Sequence, residues 1–232
     1  VLLSALLAAK KTLNFELNAL HVHHGLSANA DEWADFCVES CKVLKVPLQV
    51  VHVKVDKKAG LGIEAAARQA RYQALLNSDA DFIVLAHHQD DQVETFLLQL
   101  LRGAGVKGLS AMADFDAKRR LLRPLLDVSR AEIETYASDA KLKWVEDESN
   151  QNLHFRRNYL RHVVLPAIGQ QFPAITTVLA RTAEQMQEQT TLLARLAEID
   201  AKDCEDEHGR LRISQWALLP PVAARNVLKH RL

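Results

Sequence analysis

Through its first hundred residues the chain alternates short β-branched, aliphatic runs with longer amphipathic stretches, and this alternation restricts the fold more than any other feature. A helix over 1–12 precedes a strand from Phe15 to His21. A helix from Ala28 to Leu44 leads to a strand from Pro47 to Val55, and a helix from Ile63 to Asn77 to a strand from Asp81 to Ala86. A further helix runs from Gln89 to Leu101. Strands separated by helices must lie parallel and be joined by right-handed crossovers. The expected fold is α/β, a doubly wound and mostly parallel sheet with helices on both faces. Such sheets bind ligands at the carboxyl ends of their strands.

Beyond residue 102 the pattern changes. Gly103 to Gly108 reads as a flexible loop, and Ser129 with Glu132 as a capping box opening a helix to about Leu142. An acidic loop from Trp144 to Asn152 precedes a helix containing Phe155 to Val164. One long Gln- and Glu-rich helix is expected from Ile175 to Ala201, then a turn at His208-Gly209, a strand from Arg210 to Ile213 and a final helix. The expected division is a main domain over 1–170, a connecting helix over 171–201, and the start of a smaller C-terminal domain over 202–232.

A chain of 232 residues with 48% hydrophobic and 25% charged residues can bury a full core. No apolar run is long enough to cross a bilayer, and the opening Val1 to Leu7 has no basic leader, so the expectation is a cytoplasmic protein without membrane partners. Cys37, Cys41 and Cys204 lack metal or redox spacing and read as free thiols. Lys+Arg and Asp+Glu both total 29, so any contact with nucleic acid must come from local patches.

The chemistry concentrates in His87-His88-Gln89-Asp90-Asp91-Gln92-Val93-Glu94, which passes from a strand end into a helix. Asp91 and Glu94 are three apart and Asp90 and Glu94 four apart, so the acids share a helix face suited to an ammonium group or Mg²⁺. Acids at a helix start also favour the dipole, which accounts for Asp90 and Asp91 but not for Glu94 or the histidines. Zinc is disfavoured because His87 and His88, adjacent on a strand end, point to opposite sides. Glu64, Arg68 and Arg71 share one helix, where a surface ion pair is the plain alternative. His21, His23 and His24 close the first strand, where an exposed polar loop competes with a nucleotide pocket. Arg156, Arg157, Arg161 and His162 follow the acidic loop, and Lys118, Arg119, Arg120 and Arg123 form a basic stretch.

Taken in order, several segments resemble the bacterial tRNA(Ile)-lysidine synthases, a family of the PP-loop ATPase superfamily. They are His21-Val22-His23-His24-Gly25-Leu26, Glu64 to Tyr72, the His87 to Thr95 run, Leu122-Arg123-Pro124-Leu125-Leu126, Glu146 to Asn150, and Arg157-Asn158-Tyr159-Leu160-Arg161. The resemblance covers roughly residues 1–170 and implies a Rossmann-like, adenine nucleotide alpha hydrolase-like fold. It implies a ligase forming a carbon–nitrogen bond. With ATP and Mg²⁺, such an enzyme adenylates C2 of cytidine 34 in the isoleucine tRNA that carries a CAU anticodon, and free L-lysine then displaces AMP.

By the same resemblance His87, His88, Asp90, Asp91, Glu94, Arg68 and Arg157 are catalytic. Asp91, Glu94 and Arg68 would bind lysine, His23, His24 and His87 the nucleotide, and Asp90 would stand near Mg²⁺, with no tightly bound metal. Lys118, Arg119, Arg120, Arg123, Arg156 and Arg161 would contact tRNA, Asn158 would fix its loop, and the long helix could pair two copies. The family's Ser-Gly-Gly-x-Asp-Ser phosphate loop does not occur in these residues. The expectation is that it lies upstream of Val1, and that this stretch alone binds ATP poorly. Another PP-loop tRNA-modifying enzyme, or a non-catalytic tRNA-binding fragment, are the alternatives.

Overall fold

The computed structural model describes residues 1–55 and 62–231. Two compact units share the chain: one comprises 1–88 with 114–151, the other 89–113 with 152–232. This differs from the linear division expected at 170 and 201. In the second unit the long helix packs along earlier helices.

In the first unit, α1 (Leu2–Ala9) precedes β1 (Ala19–His23), α2 (Ala30–Leu44), β2 (Leu48–His52) and α3 (Ile63–Leu76). β1 and β2 are parallel, with His23 opposite His52. The strand β3 (Ile83–Val84) pairs in parallel with β5 (Leu121–Leu122), which pairs antiparallel with β4 (Phe115–Asp116). The fold class is therefore the expected α/β one with parallel strands. Among the described residues, however, the ladders form a two-stranded and a three-stranded sheet instead of one. Periodicity marks a strand but not its neighbour, because strand order is set by tertiary packing.

The strands are also shorter than expected, and β1 begins at Ala19, not Phe15. In α6 (Arg130–Asp139) the capping box forms as expected: the Ser129 hydroxyl accepts from the Glu132 amide, and the Glu132 carboxylate accepts from the Ser129 amide.

The second unit is helical. α4 (Gln89–Leu100) and α5 (Val106–Leu109) pack against α9 (Ile175–Lys202). Between α7 (Arg156–Tyr159) and α8 (Leu165–Gly169) the helix passes through a π turn, Leu160–Val164, a widening frequent near functional sites. Val93, Phe96, Leu97, Leu160 and Ala183 form its core. Where a strand was expected at Arg210 to Ile213 there is only a bridge between Glu205 and Leu211. α10 (Ile213–Trp216) and α11 (Pro221–Arg231) follow, and α11 packs against α9.

Candidate functional site

In the second unit the acid-led start of α4 meets the arginines of α7 and the π turn. Three-residue spacing puts Asp91 and Glu94 on one helix face, and four-residue spacing does the same for Arg157 and Arg161. Arg157 Nε donates to Glu94 Oε2 at 2.5 Å and its Nη2 to Asp91 Oδ1 at 3.1 Å. Arg161 Nε donates to Glu94 Oε1 at 2.6 Å and its Nη2 to Glu94 Oε2 at 3.1 Å. Glu94 has no exposed surface, and both of its oxygens are engaged. A charge so enclosed persists only when paired and hydrogen-bonded. Burial works to lower the Arg161 pKa, but the Glu94 hydrogen bond and the Glu94, Asp91 and Asp90 carboxylates raise it above its ordinary value.

This differs from the open acid pair expected to grip an ammonium group. Glu94 holds two guanidinium groups instead, because two short-range spacings on facing helices bring complementary forks together. Arg161, expected on a tRNA-facing surface, belongs to this network too. The arginine side chains remain 25% and 21% exposed, and Asp91 15%. The forks of both arginines are turned to the acids, and the cluster leaves to solvent only part of each guanidinium and the edge of one carboxylate. Planar forks of this kind suit a carboxylate or phosphate.

The supporting contacts are local. Asn158 is buried and its Nδ2 donates to the Asn152 carbonyl at 3.0 Å, fixing the preceding loop as expected. Gln92 donates to the Met112 carbonyl at 2.7 Å and accepts from the Met112 amide at 2.9 Å. Gln187 of α9 donates to the Ser110 and Met112 carbonyls. These glutamines tie α4 and α9 to one short loop. Sequence reasoning missed them, since nothing in local spacing marks a glutamine whose partner is backbone far along the chain.

In the first unit the histidines gather at the carboxyl ends of β1 and β2. The His23 and His52 rings lie 4.5 Å apart, and His23 Nε2 is 2.9 Å from Asp31 Oδ1. His21 Nδ1 lies 3.5 Å from the Cys37 sulfur. Burial lowers the His21 pKa, with His23, His24 and His52 adding to it. Burial also lowers that of His24, with Arg71 and His23 adding and Asp147 opposing. For His21 and His24 the neutral imidazole is therefore favoured. His88 forms a parallel bridge to Leu125, and His87 stands beside it at the end of the β3 segment. Glu148 joins the loop after β1, accepting from Ser27 Oγ at 2.7 Å and Asn29 Nδ2 at 3.2 Å.

Arg68 lies on α3, exposed, with its guanidinium 4.9 Å over the Tyr72 ring and donating to the Tyr72 hydroxyl at 3.2 Å. The Glu64 side chain, its expected partner, lies outside the described residues. Two of the residues expected to contact tRNA are engaged or enclosed within the unit. Arg120 donates to the carbonyls of Ala80 at 2.6 Å and Leu76 at 2.9 Å, closing the end of α3, and Arg123 is buried. Lys118 and Arg119 remain exposed. Cys37, Cys41 and Cys204 are free thiols. Among the described residues no three His, Cys, Asp or Glu side chains converge as a metal cage would require, and no helix is long and apolar enough to cross a membrane.

A parallel-stranded α/β unit with polar side chains at its strand ends is the build of a nucleotide-handling protein. Residues 1–168 match the PP-loop domain family, and the chain belongs to that ATP-utilising family. It is 44% identical to the tRNA(Ile)-lysidine synthase of Nitrosomonas europaea, over 100% of this chain and 52% of that protein. It is 44% identical to the same-named protein of Azoarcus sp. (strain BH72), over 99% and 52%. For Vibrio cholerae the figures are 45% identity over 94% and 50%. The chain spans about half the length of the curated relatives it matches. Among solved structures it resembles the U34-tRNA thiolase NcsA from Methanococcus maripaludis with its [4Fe-4S] cluster. That match has a TM-score of 0.63 at 17% identity, covering 80% of this chain and 68% of that one. The likeness bears on the fold, in agreement with the α/β reading.

Proposed function

We propose that the chain is the ligating part of a tRNA(Ile)-lysidine synthase, joining free L-lysine to C2 of cytidine 34 in a CAU-anticodon isoleucine tRNA at the expense of ATP. The observation that carries this is 44% identity to relatives of that name along the full length of the chain. In the first step the cytidine O2 attacks the α-phosphorus and pyrophosphate leaves. In the second, the neutral ε-amine of lysine attacks C2, the C2–O bond breaks and AMP leaves. The ammonium must release one proton before it attacks, for which a neighbouring carboxylate is an acceptor, and the departing AMP takes the proton that the nitrogen loses once the C–N bond has formed.

His23, His24 and His87 are assigned to the nucleotide, and Asp91 to the lysine ammonium. Arg157 and Arg161, held by Glu94, are assigned to the anionic part of the substrates. Glu94 is then a positioning residue, and its contribution is to fix the forks before the substrates arrive. Asp90 with ATP phosphates is the kind of sparse oxygen set that Mg²⁺ takes, and such an ion would neutralise charge on those phosphates. Thiolation has less support, because burial raises the pKa of both Cys37 and Cys41.

The test uses the natural full-length protein, ATP, radiolabelled lysine and a transcript of the CAU-anticodon isoleucine tRNA. Label should enter the RNA with one pyrophosphate released per lysine, and Asp91→Asn should raise the KM for lysine at least tenfold. Full-length protein that incorporates no lysine overturns the reading.

A further inference from the structure

A second feature of the helical unit takes no part in the Arg157 and Arg161 network. A cavity of about 320 Å³ opens between the end of α4 and the start of α7. Its floor is apolar, made by Leu98, Leu101, Leu153 and Leu160, and one side is Tyr159, which is 49% exposed. Arg102, Arg156 and His154 complete the lining, and no acidic side chain takes part. Consecutive residues on a helix point about 100° apart. Arg157 accordingly turns inward to Glu94 while Arg156 is exposed and lines the cavity. Among the described residues neither Arg102 nor Arg156 is in an ion pair, so both cations remain available.

An apolar slot with an exposed aromatic face and unpaired arginines at its rim matches one chemistry well. A nucleobase supplies a flat apolar face for Tyr159 and the leucines, and its phosphates supply charge for the arginines. The bases of an anticodon loop are unpaired, and drawing one of them into an active site unstacks its neighbours, whose faces are then open to a protein surface. Resting on the reading above for its partner, we propose that this cavity seats an unpaired nucleotide of the substrate RNA's anticodon loop. Its base lies on Tyr159 and its phosphate lies between Arg102 and Arg156.

The experiment measures binding of a fluorescent anticodon stem-loop RNA with a CAU loop, by anisotropy over a series of salt concentrations. Tyr159→Leu should weaken binding about 5- to 100-fold through lost stacking, while Tyr159→Phe stays within about 2-fold. Arg102→Gln and Arg156→Gln should each flatten the salt slope by about 0.7. All three side chains are exposed, and unchanged melting temperatures would show the fold intact. Wild-type affinity and slope in Tyr159→Leu, Arg102→Gln and Arg156→Gln overturn the proposal. So does tight binding of an acidic, leucine-rich peptide that only these substitutions abolish while RNA binding persists. Lysine incorporation with unchanged RNA binding in the variants removes the cavity and leaves the ligase. Weakened RNA binding with no incorporation by wild type does the reverse.

Discussion

At the scale of single residues, Glu94 governs the helical unit. A carboxylate without exposed surface is costly to enclose, and here two guanidinium groups meet it and offset that cost. Glu94→Gln keeps the shape and removes the charge, leaving Arg157 and Arg161 facing each other over a neutral amide. Breaking a buried pair from one side costs about 3–5 kcal/mol. The urea midpoint of Glu94→Gln should fall accordingly, and that of Asp91→Asn by less, since Asp91 is partly open to water. A Glu94→Gln protein as stable as wild type would mean that the charges are not enclosed as described. The same arithmetic bears on activity. Loss of ligation in Glu94→Gln reports displaced arginines, whereas loss in Asp91→Asn larger than its smaller change in stability accounts for reports substrate contact. The acids were legible in the sequence as a cluster. Their partners were legible only as a separate basic group, because nothing in a linear chain says that residue 94 meets residue 157.

At the scale of elements, what could be read was what is decided locally. The Ser129 and Glu132 box forms as expected because both of its hydrogen bonds lie within one turn. The helices α2, α3, α4 and α9 fall close to their expected spans for a similar reason, each carrying its own apolar stripe. The three-stranded pairing was hidden, since β3 finds its partner in Leu121–Leu122, two residues too few to show periodicity. The end of α2 also follows local rules but with an unusual residue. Lys45 adopts φ +54°, its amide donates to the Lys42 carbonyl, and the Val46 amide reaches back to the Cys41 carbonyl at 2.9 Å. Cys41 and Val46 are both buried at this turn, completing a Schellman cap in a position that glycine fills at least cost. The left-handed backbone costs a side-chain-bearing residue about 1–2 kcal/mol. Part of this is offset by the greater freedom of glycine in the unfolded chain. Lys45→Gly should therefore raise stability by about 0.5–1 kcal/mol, read as a higher melting temperature. A lower one would show that Lys45 makes a compensating contact.

At the scale of the whole molecule, 29 basic and 29 acidic residues leave no net attraction for a polyanion, so the RNA binding proposed above would have to be assembled from a few exposed cations. The basic stretch from Lys118 to Arg123 reads as one patch in the sequence, yet its members do different things. Arg120 is turned back to cap α3 and Arg123 is buried, which leaves Lys118 and Arg119 exposed beside the β4–β5 pairing. Among the described residues the Arg119 guanidinium meets only Asp116, at 3.9 Å, a surface pair weak enough to yield to a phosphate. The consequences separate cleanly. Replacing Lys118 and Arg119 together with glutamine should reduce the salt dependence of tRNA binding by about one unit of slope per charge, with the melting temperature unchanged. Arg120→Gln should leave that slope alone and lower the melting temperature, because three carbonyls at the end of α3 lose their donor. A slope that falls with Arg120→Gln at constant stability would place Arg120 in the interface. A slope unmoved by the Lys118 and Arg119 pair would take this hairpin out of RNA recognition and leave the cations of the helical unit to carry it.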